Sequence, residues 1–209
     1  MTSMSVFQIA FVLFLIANPI GGVPLFVSMV KDFEFKRQKF ILFRESVISM
    51  SIAYFFLFLG EPFLAVTHIQ LYAVQLGGGL IVLLVAIGMI FPTQAESSGS
   101  SPGLSKEPFI VPIATPLITG GGCFSNIMVF AKQEPTAKVA LAILIAWSVI
   151  IVIVTGAVYM QKLVGKRGLI ALEQLMGMIL MMIAIAMITH GLHTFGDAAR
   201  ITMANLLTP

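Results

Sequence analysis

Residues 16–26 read Ile-Ala-Asn-Pro-Ile-Gly-Gly-Val-Pro-Leu-Phe, and they stand inside a run, Ser5 to Val30, that holds no charged residue. About 20 apolar residues cross a bilayer core as a helix. Pro19 and Pro24 each remove a backbone donor and clash with the turn before them. Gly21 and Gly22 permit conformations that a helix excludes. The stretch therefore predicts a membrane helix broken near its middle. In hydrocarbon, a broken backbone survives only where it is buried in protein or lines a wet cavity.

Working outward, further charge-free runs follow at 46–60, 67–95, 109–131, 139–161 and 175–196. Apolar residues make up 58% of the 209-residue chain and charged residues only 10%, with a mean hydropathy of +1.03. A soluble protein carries roughly 25% charged residues. This composition excludes an aqueous enzyme or a nucleic-acid-binding domain. The runs are continuous rather than alternating, which excludes a β-barrel. The expected fold is an all-α membrane protein with six transmembrane helices, at 4–30, 39–60, 69–91, 108–131, 138–161 and 169–192. The first is not read as a cleaved signal, because no positive residue precedes it and its apolar run is too long.

Charge distribution sets the expected orientation. Lys31, Lys36, Arg37, Lys39, Arg44, Lys106, Lys162, Lys166 and Arg167 fall on one side, and Lys132, Lys138 and Arg200 on the other. The positive-inside rule puts the first group in the cytoplasm and both termini in the periplasm. The net charge of +3 is thereby explained without nucleic acid.

The longest polar segment, 92–107, is rich in Ser, Gly and Pro and reads as a flexible cytoplasmic linker. It divides the chain into a first repeat, 1–91, and a second, 108–209. Leu80–Phe91 aligns without gaps with Met178–Thr189 at an offset of 98, and Ile16–Pro19 aligns with Ile113–Pro116 at 97. Three helices per repeat is an odd number, so the second repeat is expected upside down relative to the first. Such inverted repeats characterise secondary transporters, with sites near the midplane.

The fourth expected helix carries its own break, Thr115-Pro116-Leu117-Ile118-Thr119-Gly120-Gly121-Gly122. Helix breaks present N–H groups that favour anions and C=O groups that favour cations. Together they suit a zwitterion such as a free amino acid. The candidate substrate-binding residues are Asn18, Pro19, Gly21, Gly22, Thr115, Thr119, Gly120 and Gly121, with Asn18 foremost and Ser125 and Asn126 nearby. Ser and Thr hydroxyls are expected to bond their own helices. Gly77, Gly78, Gly79 and Gly177 are expected to serve helix packing. Arg44, Glu45 and Glu173 are read as shallow interface anchors or inter-helix ion pairs. His68, His190 and His193 are read as solvated groups of the outer face. Cys123 stands alone, so no internal disulfide or metal cluster is expected. Neither a catalytic triad spacing, nor a zinc-protease motif, nor a phosphate-binding loop is present, so neither enzyme activity nor a cofactor is expected.

Asn18-Pro19-Ile20-Gly21 followed by Pro24-Leu25-Phe26 resembles the N-P-[IL]-G-x-x-P-[IL]-F pattern of the MarC family of bacterial and archaeal inner-membrane proteins. Arg44-Glu45, Gly78 to Phe91, Glu107 to Pro112 with Ala114 to Pro116, and Leu172-Glu173 with Leu175 to Gly177 match further family segments in order. The chain departs from the family at Thr119 to Gly122, where relatives read A-G-P-G, and at Gln174, where relatives often carry Arg. The resemblance implies six helices, the inner membrane, an architecture like that of LysE-type exporters, and for some members transport of small neutral amino acids. A coupling ion, sodium or a proton, and a homo-oligomer are both compatible with that architecture. The competing function class is a non-transporting membrane protein that acts through interaction or assembly. A channel is weaker, because no charge ring or filter motif is present.

Overall fold

The computed structural model describes residues 4–91 and 120–207, with the side chains of Lys166 and of 201–207 left out. Among these residues the structure is helical throughout, with no strand. The helices are α1 (Val6–Ala17), α2 (Val23–Val30), α3 (Phe35–Thr67), α4 (Leu71–Ile90), α5 (Gly121–Gln133), α6 (Thr136–Thr155) and α7 (Ala157–Leu207).

Four stretches are long and apolar enough to cross a membrane: Phe35–Thr67, Leu71–Ile90, Thr136–Thr155 and Arg167–Arg200. They correspond to the second, third, fifth and sixth expected spans. The first expected span is two pieces, α1 and α2, separated by residues 18–22. Of the fourth, α5 is described, and Thr115, Pro116 and Thr119 lie outside the described residues.

Two helices run further than the sequence reading placed them. α3 continues past residue 60 through Pro62, and Glu61 there meets Lys132 of α5 at 3.2 Å. The expected loop at 162–168 is helical except at Gly165, whose φ of 73° and ψ of 166° break α7. That backbone region is accessible essentially to glycine alone.

The core is built where α1, α3 and α6 meet, around Ile9, Leu13, Leu42, Ile143, Trp147 and Ile150. α1 starts at a capping box, in which Ser5 Oγ accepts from Gln8 N and Gln8 Oε1 accepts from Ser5 N. The opposite faces carry exposed Phe7, Phe11, Phe55, Leu84, Val152 and Met182. So wide an apolar exterior is stable against lipid and would associate in water.

Helix contacts recur in matched pairs. α2 packs on α7 and α5 packs on α4, while α3 packs on α6. A Cβ at Gly79 would lie 3.2 Å from the Ala184 carbonyl oxygen and 2.8 Å from Ile188 Cγ1. A Cβ at Gly177 would lie 3.2 Å from the Ala86 carbonyl oxygen and 3.0 Å from Ile90 Cγ1. Residues 79, 86 and 90 plus an offset of 98 are 177, 184 and 188, so the two contacts are each other's exchange. These glycines do serve close helix approach. Trp147 Nε1 donates to Ser49 Oγ at 3.0 Å, and these two residues are themselves separated by that same offset.

Candidate functional site

The break between α1 and α2 is built around Asn18. It caps α1 in the left-handed conformation, at φ 47° and ψ 51°, and its N–H donates to Phe14 O at 3.1 Å. Asparagine tolerates this region better than most side chains. Its Oδ1 accepts from Gly21 N at 3.2 Å, and its carbonyl accepts from Gly22 N at 3.1 Å. Val23 N then donates to Ile20 O at 3.2 Å and Phe26 N to Gly22 O at 2.9 Å. The sequence reading had free backbone groups here. Instead a tight turn satisfies several of them internally.

The glycines of the break also act differently from the expectation. Neither Gly21 nor Gly22 has a positive φ, and the left-handed residue is Asn18. A Cβ at Gly21 would collide with Met89 Cε and approach the Asn18 side-chain amide at 2.6 Å. A Cβ at Gly22 would lie 2.7 Å from the Phe26 ring. Close approach, rather than backbone conformation, is what a side chain would meet at both positions, and Met89, Asn18 or Phe26 would have to shift to admit one.

Asn18 is 8% exposed, and its Nδ2 donates to Met89 Sδ of α4 at 3.1 Å. In the second half, Asn126 Nδ2 lies 3.1 Å from Met187 Sδ of α7 and also donates to Gly122 O at 2.8 Å. Met89 and Met187 are equivalent at the same offset of 98. A thioether is a weak acceptor. Each half thus holds a partly or wholly buried amide donor against a weakly bound methionine sulfur. Among the candidates, Asn18 draws in Gly21 and Gly22 directly, and Met89 is a site neighbour that the sequence reading missed. Only the repeat alignment, which pairs Met89 with Met187, singles it out.

At the second break, Gly120 caps α5 and its carbonyl accepts from Cys123 N at 2.8 Å. A Cβ at Gly121 would lie 2.6 Å from Ile81 Cδ1, and one at Gly122 would collide with Val82. Ser125 Oγ donates to Val74 O of α4 at 2.8 Å, not to its own helix as expected. A Cβ at Gly78 would lie 2.5 Å from Ser125 Cβ, so the glycine is what lets α5 come this close. Thr115 and Thr119, the remaining candidates of this break, lie outside the described residues, and the hydrogen bonding of Pro19 is limited by its ring.

One further sequence reading changes. Glu45 is not an exposed anchor but 3% exposed, and its ion pair with Arg44, Nη2 to Oε1 at 2.8 Å, lies within one helix rather than between two. His190 is exposed, in keeping with its reading as a solvated group, and its Nδ1 stands 3.3 Å from Oε1 of the buried Gln75, joining α7 to α4. Among the described residues no group of His, Cys, Asp and Glu is arranged to hold a metal.

Comparison with known proteins agrees with the resemblance noted from the motifs. The profile described as "MarC family integral membrane protein" matches residues 3–195. The chain is 40% identical over 187 residues to UPF0056 inner membrane protein YhgN of Escherichia coli (strain K12), covering 88% of this chain and 93% of that protein. It is 38% identical over 194 residues to a UPF0056 membrane protein of Buchnera aphidicola subsp. Baizongia pistaciae, covering 91% and 97%. A UPF0056 membrane protein of Chlamydia muridarum is 29% identical over 184 residues, covering 86% and 89%. No solved structure matches. With its helices apolar enough to span a bilayer and its motifs in family order, the chain belongs to the MarC family of integral membrane proteins.

Proposed function

We propose that this protein is a secondary transporter of small neutral amino acids or similar small metabolites, built as two inverted three-helix repeats with its substrate site at the two helix breaks. The observation that carries the reading is the pair of asparagine amides held on methionine sulfurs, Asn18 on Met89 and Asn126 on Met187. A carboxylate is a far stronger acceptor than a thioether. A substrate carboxylate can therefore displace the methionine at little cost in hydrogen bonding. The partners of both amides are uncharged, which suits a substrate with no net charge. Tight packing at Gly21 and Gly22 suits a small one.

The exchanged contacts support the inverted repeat. If Gly79 meets Ile188 as Gly177 meets Ile90, the two halves are related by a two-fold axis across the antiparallel α4–α7 pair. In a membrane such an axis lies in the bilayer plane, at the midplane. Met89 then stands about 7 Å along α4 from that level, and Asn18 stands beside it. The site comprises Asn18, Pro19, Gly21 and Gly22 from the first break and Thr115, Thr119, Gly120 and Gly121 from the second. Inner-membrane placement with both termini periplasmic follows from the basic residues.

Counterflow in proteoliposomes tests the proposal. Vesicles loaded with unlabelled glycine, alanine, serine or threonine should transiently accumulate the labelled amino acid outside the equilibrium level. Absence of counterflow across a panel of neutral amino acids overturns it in favour of a non-transporting role.

A further inference from the structure

Glu45 is a carboxylate that the substrate site does not use. It is 3% exposed, and both contacting nitrogens of Arg44, Nε at 3.3 Å and Nη2 at 2.8 Å, converge on the same oxygen, Oε1. The second oxygen, Oε2, is buried with no hydrogen-bond partner among the described residues. A fork that satisfied the carboxylate would bond both oxygens. Buried acceptors without partners are rare in native proteins and call for an explanation, an unplaced ion or a proton among them.

Depth makes the observation sharper. Ser49 and Trp147 touch each other at the repeat offset, so in the inverted-repeat arrangement they lie on the two-fold axis and hence at the bilayer midplane. Glu45 precedes Ser49 by one helical turn, about 6 Å along the axis. It lies on the same side of the midplane as Asn18 and Met89, since α3 enters from the face at which α4 ends. Ionisable residues at such depth in membrane proteins mark ion pathways and proton relays.

Among the described residues no second cation joins Arg44 at this carboxylate. α2 contains no ionisable residue. On α5, Lys132 is paired with Glu61, and the buried thiol of Cys123 is beside Phe124, whose ring stacks on Phe56 far along α3. On α6, Lys138 is paired with Glu134. On α3 itself, Tyr54 donates to Ala140 O, and Lys39 sits over the rings of Phe35 and Tyr159. Lys162 of α7 also sits over Phe35. Arg44, whose side chain is 41% exposed, is the sole cation in contact with Glu45 among the described residues.

We infer that Glu45 is the cation-coupling carboxylate of this protein, binding one monovalent cation, a proton or a sodium ion, at Oε2. This rests on the proposed inverted repeat for the depth of Glu45 and on the transport reading for the use made of the cation. The empty Glu45–Arg44 pair is net neutral, whereas a cation at Oε2 leaves the pair with one positive charge, so the loaded and empty forms differ in the cost of sitting near the midplane. That difference is what a transporter needs in order to tie substrate movement to an ion gradient.

Two measurements test it. First, the wild-type protein in detergent is treated with dicyclohexylcarbodiimide, which modifies protonated carboxyls in apolar surroundings, and the modified residue is mapped by peptide mass spectrometry. Modification at Glu45 that falls with rising pH and ignores sodium identifies a proton site. Modification that sodium suppresses identifies a sodium site. Absence of modification at Glu45 across pH 5 to 9 overturns the inference, because a permanent ion pair with Arg44 does not react. Second, Glu45→Gln and Glu45→Asp are compared with wild type in proteoliposomes for counterflow and for gradient-driven accumulation. The ratio of accumulation to counterflow should fall at least tenfold in Glu45→Gln and by less in Glu45→Asp. An unchanged ratio overturns the inference. If Glu45→Gln does not fold, the wild-type labelling decides alone. If wild type shows no counterflow, the transport reading fails while the labelling still reads the cation site.

Discussion

Asn18 does two things at once, and substitution separates them. Its backbone takes the left-handed cap of α1, and its amide bridges Gly21 N and Met89 Sδ. Asn18→Ala should lose the amide and strain the backbone, by roughly 1–2 kcal/mol. Asn18→Gly keeps the backbone free and loses only the amide. Both should reduce initial transport rates at least about tenfold, equivalent to roughly 1.4 kcal/mol of lost interaction. Both variants leave Gly21 N without its acceptor, and Asn18→Ala should lower the melting temperature in detergent further because it alone adds backbone strain. Wild-type rates in Asn18→Gly would show the break to be a packing feature. Gly21→Ala tests close approach at the same place. Its new methyl collides with Met89 and crowds the Asn18 amide, so a stability loss of about 1–3 kcal/mol is expected. Met89→Leu should be gentler on stability and should tighten or loosen substrate binding, because it removes the weak acceptor while keeping the volume.

Among the elements, α4 and α7 are the pair whose contacts test the proposed repeat. Gly79 and Gly177 hold exchanged positions against Ala184 and Ala86. Gly79→Leu and Gly177→Leu should therefore destabilise the protein by similar amounts, measured as loss of the monodisperse size-exclusion peak. Gly77→Leu should be tolerated, because nothing lies within 4 Å of its Cβ position. A strong difference between Gly79→Leu and Gly177→Leu would argue against the two-fold relation. Gly165 is a separate case. Its backbone conformation is one that only glycine adopts readily, so Gly165→Ala should cost about 1–3 kcal/mol although space around it is open.

At the scale of the whole molecule, orientation is the property to test. The single native cysteine, Cys123, is buried, so introduced cysteines can be labelled against a quiet background. Ser100→Cys should react with a membrane-impermeant maleimide only from the cytoplasmic side. His68→Cys, at the far end of α3, should react only from the periplasmic side. Reversal of the two would invert the topology drawn from the basic residues.

The membrane class, the positions of four spans, the break at Asn18 and the family were legible in the sequence. They rest on local or additive properties: continuous apolar length, missing proline donors, motif order. The 98-residue offset was legible as well, and it recurs in the contacts of Gly79 with Ala184 and of Gly177 with Ala86. What the sequence by itself did not determine is which residues meet. It assigned the unusual backbone to Gly21 and Gly22, whereas Asn18 is the left-handed residue and the glycines are hemmed in by Met89 and Phe26 respectively. It bonded Ser125 to its own helix, whereas the gap at Gly78 admits its hydroxyl to Val74 O. It placed Glu45 at the interface by counting from Lys39, whereas the packing around α3 buries its side chain. In each case composition and period specify what a segment is made of, while burial, close approach and the partner of a polar atom are set by a second helix distant in the chain. Only the tertiary structure brings that helix into place.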